Sequence, residues 1–386
     1  MSLKAQVCER RMNEMKQSVL RGLLPALSLA LLLGLSACGT PTAEPSQSPS
    51  PTQTAQPSPS QSPSVDPDQS ESPSQSETPS ESPSQAPAAG TVRLAFLNGP
   101  TGMGAAKLLD DIDSGALTGY TCEVAADNNE VVNLLTHGDV DIAALATNVA
   151  LNLYNKNESI QMLALNTRGV LYILEGKGTD TIQSVADLQG KTLYAFGEGA
   201  NPQYILGNLL AQSGLDEESV NIQWTTPEEA TQALLSGEAD AAMLPVPAAT
   251  AAIAKGQGQV RQAVDLSAAW EEAYGSMGSG LYMGCLVVRR DFAAEHPQAV
   301  ADFLDAYAAS MDFVTGDPAA AAPLAEAHGL APSAAIAEKA IPACNLCFLT
   351  GNGIAEAVTP YYEALFRADP AAIGGSLPDD GFYYVP

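Results

Sequence analysis

Glu130-Val-Val-Asn-Leu-Leu-Thr-His-Gly138-Asp-Val-Asp141-Ile-Ala143-Ala-Leu145 is matched by Glu229-Ala-Thr-Gln-Ala-Leu-Leu-Ser-Gly237-Glu-Ala-Asp240-Ala-Ala242-Met-Leu244. Both copies read E-x4-L-x2-G-[DE]-x-D-x-A-x-L, and the second starts 99 residues after the first. The first half of each has helical spacing and stops on glycine, the residue that ends a helix cheaply at positive φ. The second half is a short apolar run of the buried-strand type. A helix that stops on Gly and feeds a buried strand is one unit of an open α/β sheet. Two copies this far apart predict two similar, Rossmann-like α/β lobes, each with its own sheet.

Outward from the repeat, the same alternation continues. The pattern predicts strands over 92–96, 120–125, 160–165, 170–175, 192–196, 220–224 and 281–288. Helices are expected from 104 through 112, from 147 through 154, from Asn201 to Ser213-Gly214, and from 292 to 314 with Pro297 near the start. Asn201 reads as an N-cap with Pro202 at the first helical position. Residues 182–190 read as a short helix and turn, and the tail as mostly helical. The strand at 170–175 would leave the first lobe and that at 281–288 would return to it. The lobes are therefore 91–175 with 281–386, and 176–280.

The first 90 residues are of another kind. Residues 23–35 (LLPALSLALLLGL) form a 13-residue apolar run behind Lys16 and Arg21, too short to span a bilayer comfortably. The run ends in Leu-Ser-Ala-Cys38-Gly and resembles a lipoprotein signal (1–37), in which Cys38 is lipidated and becomes the first mature residue. A simple signal peptide with an accidental cysteine is the plainer alternative. Met15 is a better start than Met1, because it leaves an ordinary short n-region. Residues 38–90 are almost entirely Ser, Pro, Gln, Thr and Glu, cannot bury a core, and read as a disordered tether. Anchor and tether together place the protein on the extracytoplasmic face of a cell membrane, with a Gram-positive surface as the expected setting.

From Cys38 onward the chain has 12 basic residues against 42 acidic ones, a net −30. That surface repels nucleic acid and anionic lipid, so nucleic acid is excluded as a partner and the membrane is reached through the lipid.

Ligands of open α/β sheets collect at the carboxyl ends of strands. Five such ends stand out: 99–104, Thr147-Asn148, Asn166-Thr167, 197–201 and 245–247. The Gly-rich loops at 99–104 and 197–201 expose N–H groups at helix starts, which suits a polar or anionic ligand. Neither is a phosphate loop, since no G-K-[ST] follows either loop and no G-x-G-x-x-G fits them. Tight turns alone would also account for any single one of these glycines.

The lobe order, the G-P-T-G-M-G loop, the twice-used L-x2-G-x-x-D-x-A and the R-R-D-F-A-A-E-H-P-Q-A-V after the return strand resemble the solute-binding proteins of ABC importers. The closest likeness is to the sulfonate/nitrate/thiamine-precursor (SsuA/ThiY-like) type, with the type 2 periplasmic binding protein fold. The resemblance covers 91–386. It implies two lobes joined by two crossover strands, hinge closure on a small-molecule ligand, and a membrane permease with its ATPase as partners. By position, the implied ligand contacts are Pro100, Thr101, Gly102, Met103, Thr147, Asn148, Asn166, Gly199, Ala200, Asn201, Pro245 and Val246. Basic residues are scarce for a binder of small inorganic anions. Arg168, beside Asn166, is the one placed to reach the cleft, although a solvent-facing arginine is the commoner arrangement. Met103 and Tyr282 offer apolar or stacking surface, with core packing as their commoner role.

No catalytic residues, cofactor or metal are expected. His137, His296 and His328 sit at helix ends, and no G-x-S-x-G or H-E-x-x-H occurs. A thiamine-pyrimidine synthase branch of the superfamily is enzymatic but intracellular. Cys344-Asn-Leu-Cys347 lacks the second half of a zinc site; with Cys122 and Cys285 it leaves three disulfide pairings or free thiols open. The expectation is a lipid-anchored solute-binding protein of an ABC importer, taking a small polar or aromatic organic solute. The alternative is a ligand sensor for a membrane receptor kinase.

Overall fold

The structure is a computed structural model that describes residues 90–275 and 280–385. The apolar run, Cys38 and the tether lie outside the described residues. So does one end of the connection before residue 280.

The first sheet is built from β1 (Val92–Leu97), β2 (Tyr120–Ala125), β3 (Ile142–Ala146) and β4 (Ile160–Arg168). Helices α1 (Pro100–Met103), α2 (Ala106–Asp113), α3 (Asn128–His137) and α4 (Thr147–Asn157) connect them. The chain then crosses to a second sheet with β5 (Leu171–Glu175), β6 (Thr192–Phe196), α5 (Asn201–Gln212), β7 (Asn221–Thr225), α6 (Pro227–Ser236), β8 (Ala241–Pro245), α7 (Ala248–Lys255), β9 (Arg261–Asp265) and α8 (Leu266–Tyr274). It returns through β10 (Tyr282–Arg289) into α9 (Arg290–Glu295), α10 (Pro297–Gly316), α11 (Pro318–Ala327), α12 (Ala334–Ala340), β11 (Leu346–Thr350) and α13 (Gly353–Ala368).

The strand orders are β11-β4-β10-β3-β1-β2 and β7-β6-β8-β5-β9. The strand that arrives from the other lobe is antiparallel in each: β10 between β3 and β4, β5 between β8 and β9. These are the two crossover strands of a type 2 periplasmic binding protein fold. Because β5 is an interior strand of the second sheet, the crossing falls between Arg168 and Leu171, and not after Glu175.

The repeat has an atomic cause. Asp141 Oδ2 accepts from Arg93 N at 3.0 Å, and Asp240 Oδ2 accepts from Thr192 N at 3.0 Å. In return Asp141 N donates to Arg93 O and Asp240 N to Thr192 O. Each aspartate thus pins the start of the strand 48 residues upstream, β1 or β6, to the start of the strand after the repeat helix, β3 or β8. Gly138 and Gly237 close those helices at φ 75° and 79°, in the left-handed region where a side chain strains the backbone. Upstream, Asp127 and Thr226 accept from the first-turn N–H groups.

Side chains alternate along the strands, so both faces of the sheets are covered. Leu94 and Phe96 of β1 pack with Phe303 and Tyr307 of α10, while Ala95 and Leu97 face the side of Val131, Leu135 and Leu151. Each fully buried Leu or Phe contributes about 1.5–3 kcal/mol. Among the described residues no helix is long and apolar enough to cross a membrane.

Three local expectations change. The helix expected over 292–314 is two, because Pro297 has no N–H to donate and holds His296 out of helical geometry at φ −130°, ψ 51°. The tail contributes an edge strand, β11, that pairs with β4 and contains Cys347. Asn201 is not a cap: Ala200 holds that position, and Asn201 makes no cap hydrogen bond. Cys122, Cys285, Cys344 and Cys347 are free thiols, with burial pushing the Cys347 thiol up to about 11.

Candidate ligand-binding cleft

A cavity of about 1060 Å³ opens where the carboxyl ends of the two sheets meet. Its first-lobe wall includes Asn98, Pro100, Thr101, Asn128, Asn148 and Val149. Its second-lobe wall includes Phe196, Asn201, Pro202, Pro227, Val246 and Pro247. Val170 and Leu171 of the crossing join the two walls, with Met283 of β10 nearby. That volume lies at the upper end of the range for small-molecule sites. The charged residues among the described wall are Glu228 and Lys255, one of each sign.

The C-terminal helix ties both walls together from behind. The Tyr361 hydroxyl of α13 donates to Asn201 Oδ1 in the second lobe, and the neighbouring Tyr362 hydroxyl donates to Thr147 O in the first at 2.9 Å. Trp270 of α8 lies edge-on to Tyr361 with ring centroids 5.6 Å apart. Burial raises the Tyr361 hydroxyl pKa, and the bonds to Asn201 and Thr147 pull it partly back.

Two amides of the wall are incompletely bonded. Asn148 is 6% exposed; its Nδ2 donates to Ala372 O at 3.5 Å, and its Oδ1 has no protein partner. Asn201 is 4% exposed, and its Nδ2 has none. Burying such an atom without a partner costs about 1–3 kcal/mol.

Of the expected contacts, Pro100, Thr101, Asn148, Ala200, Asn201, Pro245 and Val246 line the cavity. The others do not. Gly102 packs so closely on Leu97 O that a Cβ would sit 2.1 Å from it, and Met103 is fully buried in the core. Thr147 spends its hydroxyl on Tyr282 O at 2.7 Å. Asn166 is likewise consumed internally, donating to Thr101 O at 2.9 Å and to the Tyr307 hydroxyl at 3.0 Å. Gly199 is exposed and bonded to Gln203 Oε1. Arg168 stays outside the cavity, 3.6 Å from Glu271 and with its guanidinium over the Tyr282 ring at 5.5 Å.

Strand-end reasoning missed Asn98 and Asn128, although both follow the same rule, one just after β1 and one at the first position of α3. Thr231, Lys255 and the stretch around Ala331 carry no such signal, since they reach the cavity from helix interiors, helix ends and the tail. Among the described residues no three His, Cys, Asp or Glu side chains are placed to share a metal.

The NMT1/THI5-like family profile matches residues 121–321, from β2 into α11 and more than half of the chain. The chain belongs to the NMT1/THI5-like family. No curated protein matches it. Among solved structures, an ABC transporter protein from Parabacteroides distasonis is 25% identical over 76% of this chain and 99% of its own, with a TM-score of 0.65. The periplasmic aliphatic sulphonate-binding protein SsuA of Escherichia coli is similar at 17% identity, 78% and 93% coverage and TM-score 0.62. The alkanesulfonate-binding SsuA of Xanthomonas axonopodis pv. citri, solved with MOPS, is similar at 19%, 76% and 96%, and 0.55. The two SsuA likenesses bear on the fold of this NMT1/THI5-like chain.

Proposed function

We propose that this protein is an extracytoplasmic solute-binding protein of an ABC importer. It captures a small polar or aromatic organic solute between its lobes and delivers it to a membrane permease and its ATPase. The observation that carries this reading is the cavity itself, walled by both lobes and bordered by both crossover segments. A ligand touching both walls favours the closed arrangement by its differential contacts, and the short crossings are where a hinge acts. Family membership and the ABC transporter protein of P. distasonis support the reading. The proposal includes two lobes, a lipid anchor on Cys38 and a 38–90 tether that lets the binding domain stand off the membrane, with binding and release and no bond chemistry. Pro100, Thr101, Asn148, Ala200, Asn201, Pro245 and Val246 are its proposed ligand contacts.

Native mass spectrometry of the full chain, followed by denaturation and identification of released small molecules, tests this. One stoichiometric organic adduct, lost on denaturation, is expected. A covalent adduct other than lipid on Cys38 would sink pure capture.

A further inference from the structure

We infer that the solute is uncharged and amide-like: it donates an N–H to Asn148 Oδ1 on the first lobe and offers an acceptor to Asn201 Nδ2 on the second. This rests on the capture reading and narrows its ligand class. The orientation of Asn148 is fixed by chemistry, because Ala372 O can only accept, so Nδ2 must face it and Oδ1 must face away. Asn201, a residue of the cavity wall, accepts at Oδ1 from the Tyr361 hydroxyl, which leaves its buried Nδ2 without a protein partner. Both side chains are more than nine-tenths buried, so bulk water does not satisfy these atoms cheaply.

The rest of the wall argues against an anion. A sulfonate or carboxylate has acceptors only and would set negative oxygen against Asn148 Oδ1. Lys255 is offset by Glu228, and no arginine lines the cavity among the described residues. The helix starts facing the cleft are short of donors as well. Pro100, Pro202 and Pro227 occupy the first or second position of α1, α5 and α6, and Pro247 precedes α7; none has an N–H. Phe196 and Met283 supply apolar surface for a ring or chain.

The test is calorimetric titration of the full chain with three probes of one ring size: benzamide, benzoate and benzenesulfonate. Benzamide is expected to bind at least about 10-fold tighter than either anion, since each anion leaves a buried amide atom unpaired. Asn148→Ala and Asn201→Asp should each weaken benzamide by about 10-fold or more. Asn201→Asp retains the acceptor for Tyr361, so it keeps the helix contact while removing the donor, and an unchanged melting temperature verifies the fold. Anions bound as tightly as benzamide, or benzamide binding untouched by both substitutions, would overturn the amide inference and leave capture standing. Failure of all three probes while an organic solute co-purifies also overturns it alone. Failure of all three with no solute ever found strikes the capture reading too.

Discussion

The units at 130–145 and 229–244 fold onto the same hydrogen bonds and end in opposite chemistry. Asp141 and Asp240 make the same 3.0 Å bond to the strand 48 residues upstream, and Gly138 and Gly237 close their helices in the same left-handed geometry. At the cleft the copies part. Asn98, Asn128 and Asn148 of the first lobe stand where the second has Gly197, Pro227 and Pro247, each 99 residues later. One lobe presents amides and the other largely prolines. What builds a strand–helix–strand unit is held in common, while what meets a solute differs, as expected when only the strand ends face a ligand.

The lobes also differ in how deeply their shared aspartate is buried, and the largest mutational effect follows from that. Asp141 is 3% exposed and takes both Arg93, at 2.5 Å, and Arg289, at 3.4 Å. Removing it leaves two guanidinium groups short of a partner, and Asp141→Ala should cost about 3 kcal/mol in a denaturant titration. Among the described residues Asp240 forms an ion pair with Lys177 alone, both about 40% exposed at the side chain, so Asp240→Ala should cost about 1 kcal/mol. Equal losses would break the comparison.

Glu175, in the crossover strand β5, has no such counterpart in the first lobe. Burial opposes its ionisation, but the hydroxyls of Thr181 and Thr179 and the N–H groups of Thr181 and Ile182 outweigh this and hold the carboxyl down at about 2. A depressed carboxyl stabilises the fold above its unfolded value near 4.5, and that stability is lost as pH falls toward 2. On the order of 2 kcal/mol should disappear over this window, and Glu175→Gln should flatten that part of the stability–pH curve. A curve of unchanged slope would remove Glu175 from the account.

The smallest effect concerns the helix ends. Gly138→Ala and Gly237→Ala should each cost about 1 kcal/mol for the left-handed backbone. Gly138 should lose slightly more, because a Cβ there would lie 3.1 Å from Arg289 Nη1, against 3.6 Å from Lys177 Cε at Gly237. Thermal melts of the pair would show it.

The repeat, the strand series and the proline-started helices were legible because they rest on local rules of period, capping and turn chemistry. The cleft was half legible. Strand-end position identified Pro100, Asn148, Asn201 and Pro245, but it does not fix where a side chain points. Asn166 and Thr147 sit at such ends and turn inward, to Tyr307 and Tyr282 O, which lie 141 and 135 residues away. Asn201 looked like a cap and is instead a cleft residue held by Tyr361, a partner 160 residues downstream that no local pattern announces. The strand β11 was hidden because it has only five residues and shares Cys347 with a Cys pair that reads more readily as a metal or redox motif.

The most direct test of capture between lobes is a distance. Spin labels at His137→Cys and Ser236→Cys, equivalent exposed ends of the two repeat helices, would be placed in a chain with Cys122 and Cys347 replaced by serine. Pulsed electron–electron resonance would then be recorded with and without the solute recovered from the protein. Closure predicts that solute displaces the distance distribution by a few ångströms or more, and that Asn148→Ala abolishes the shift at the same solute concentration. A distribution unmoved by saturating solute would contradict the account.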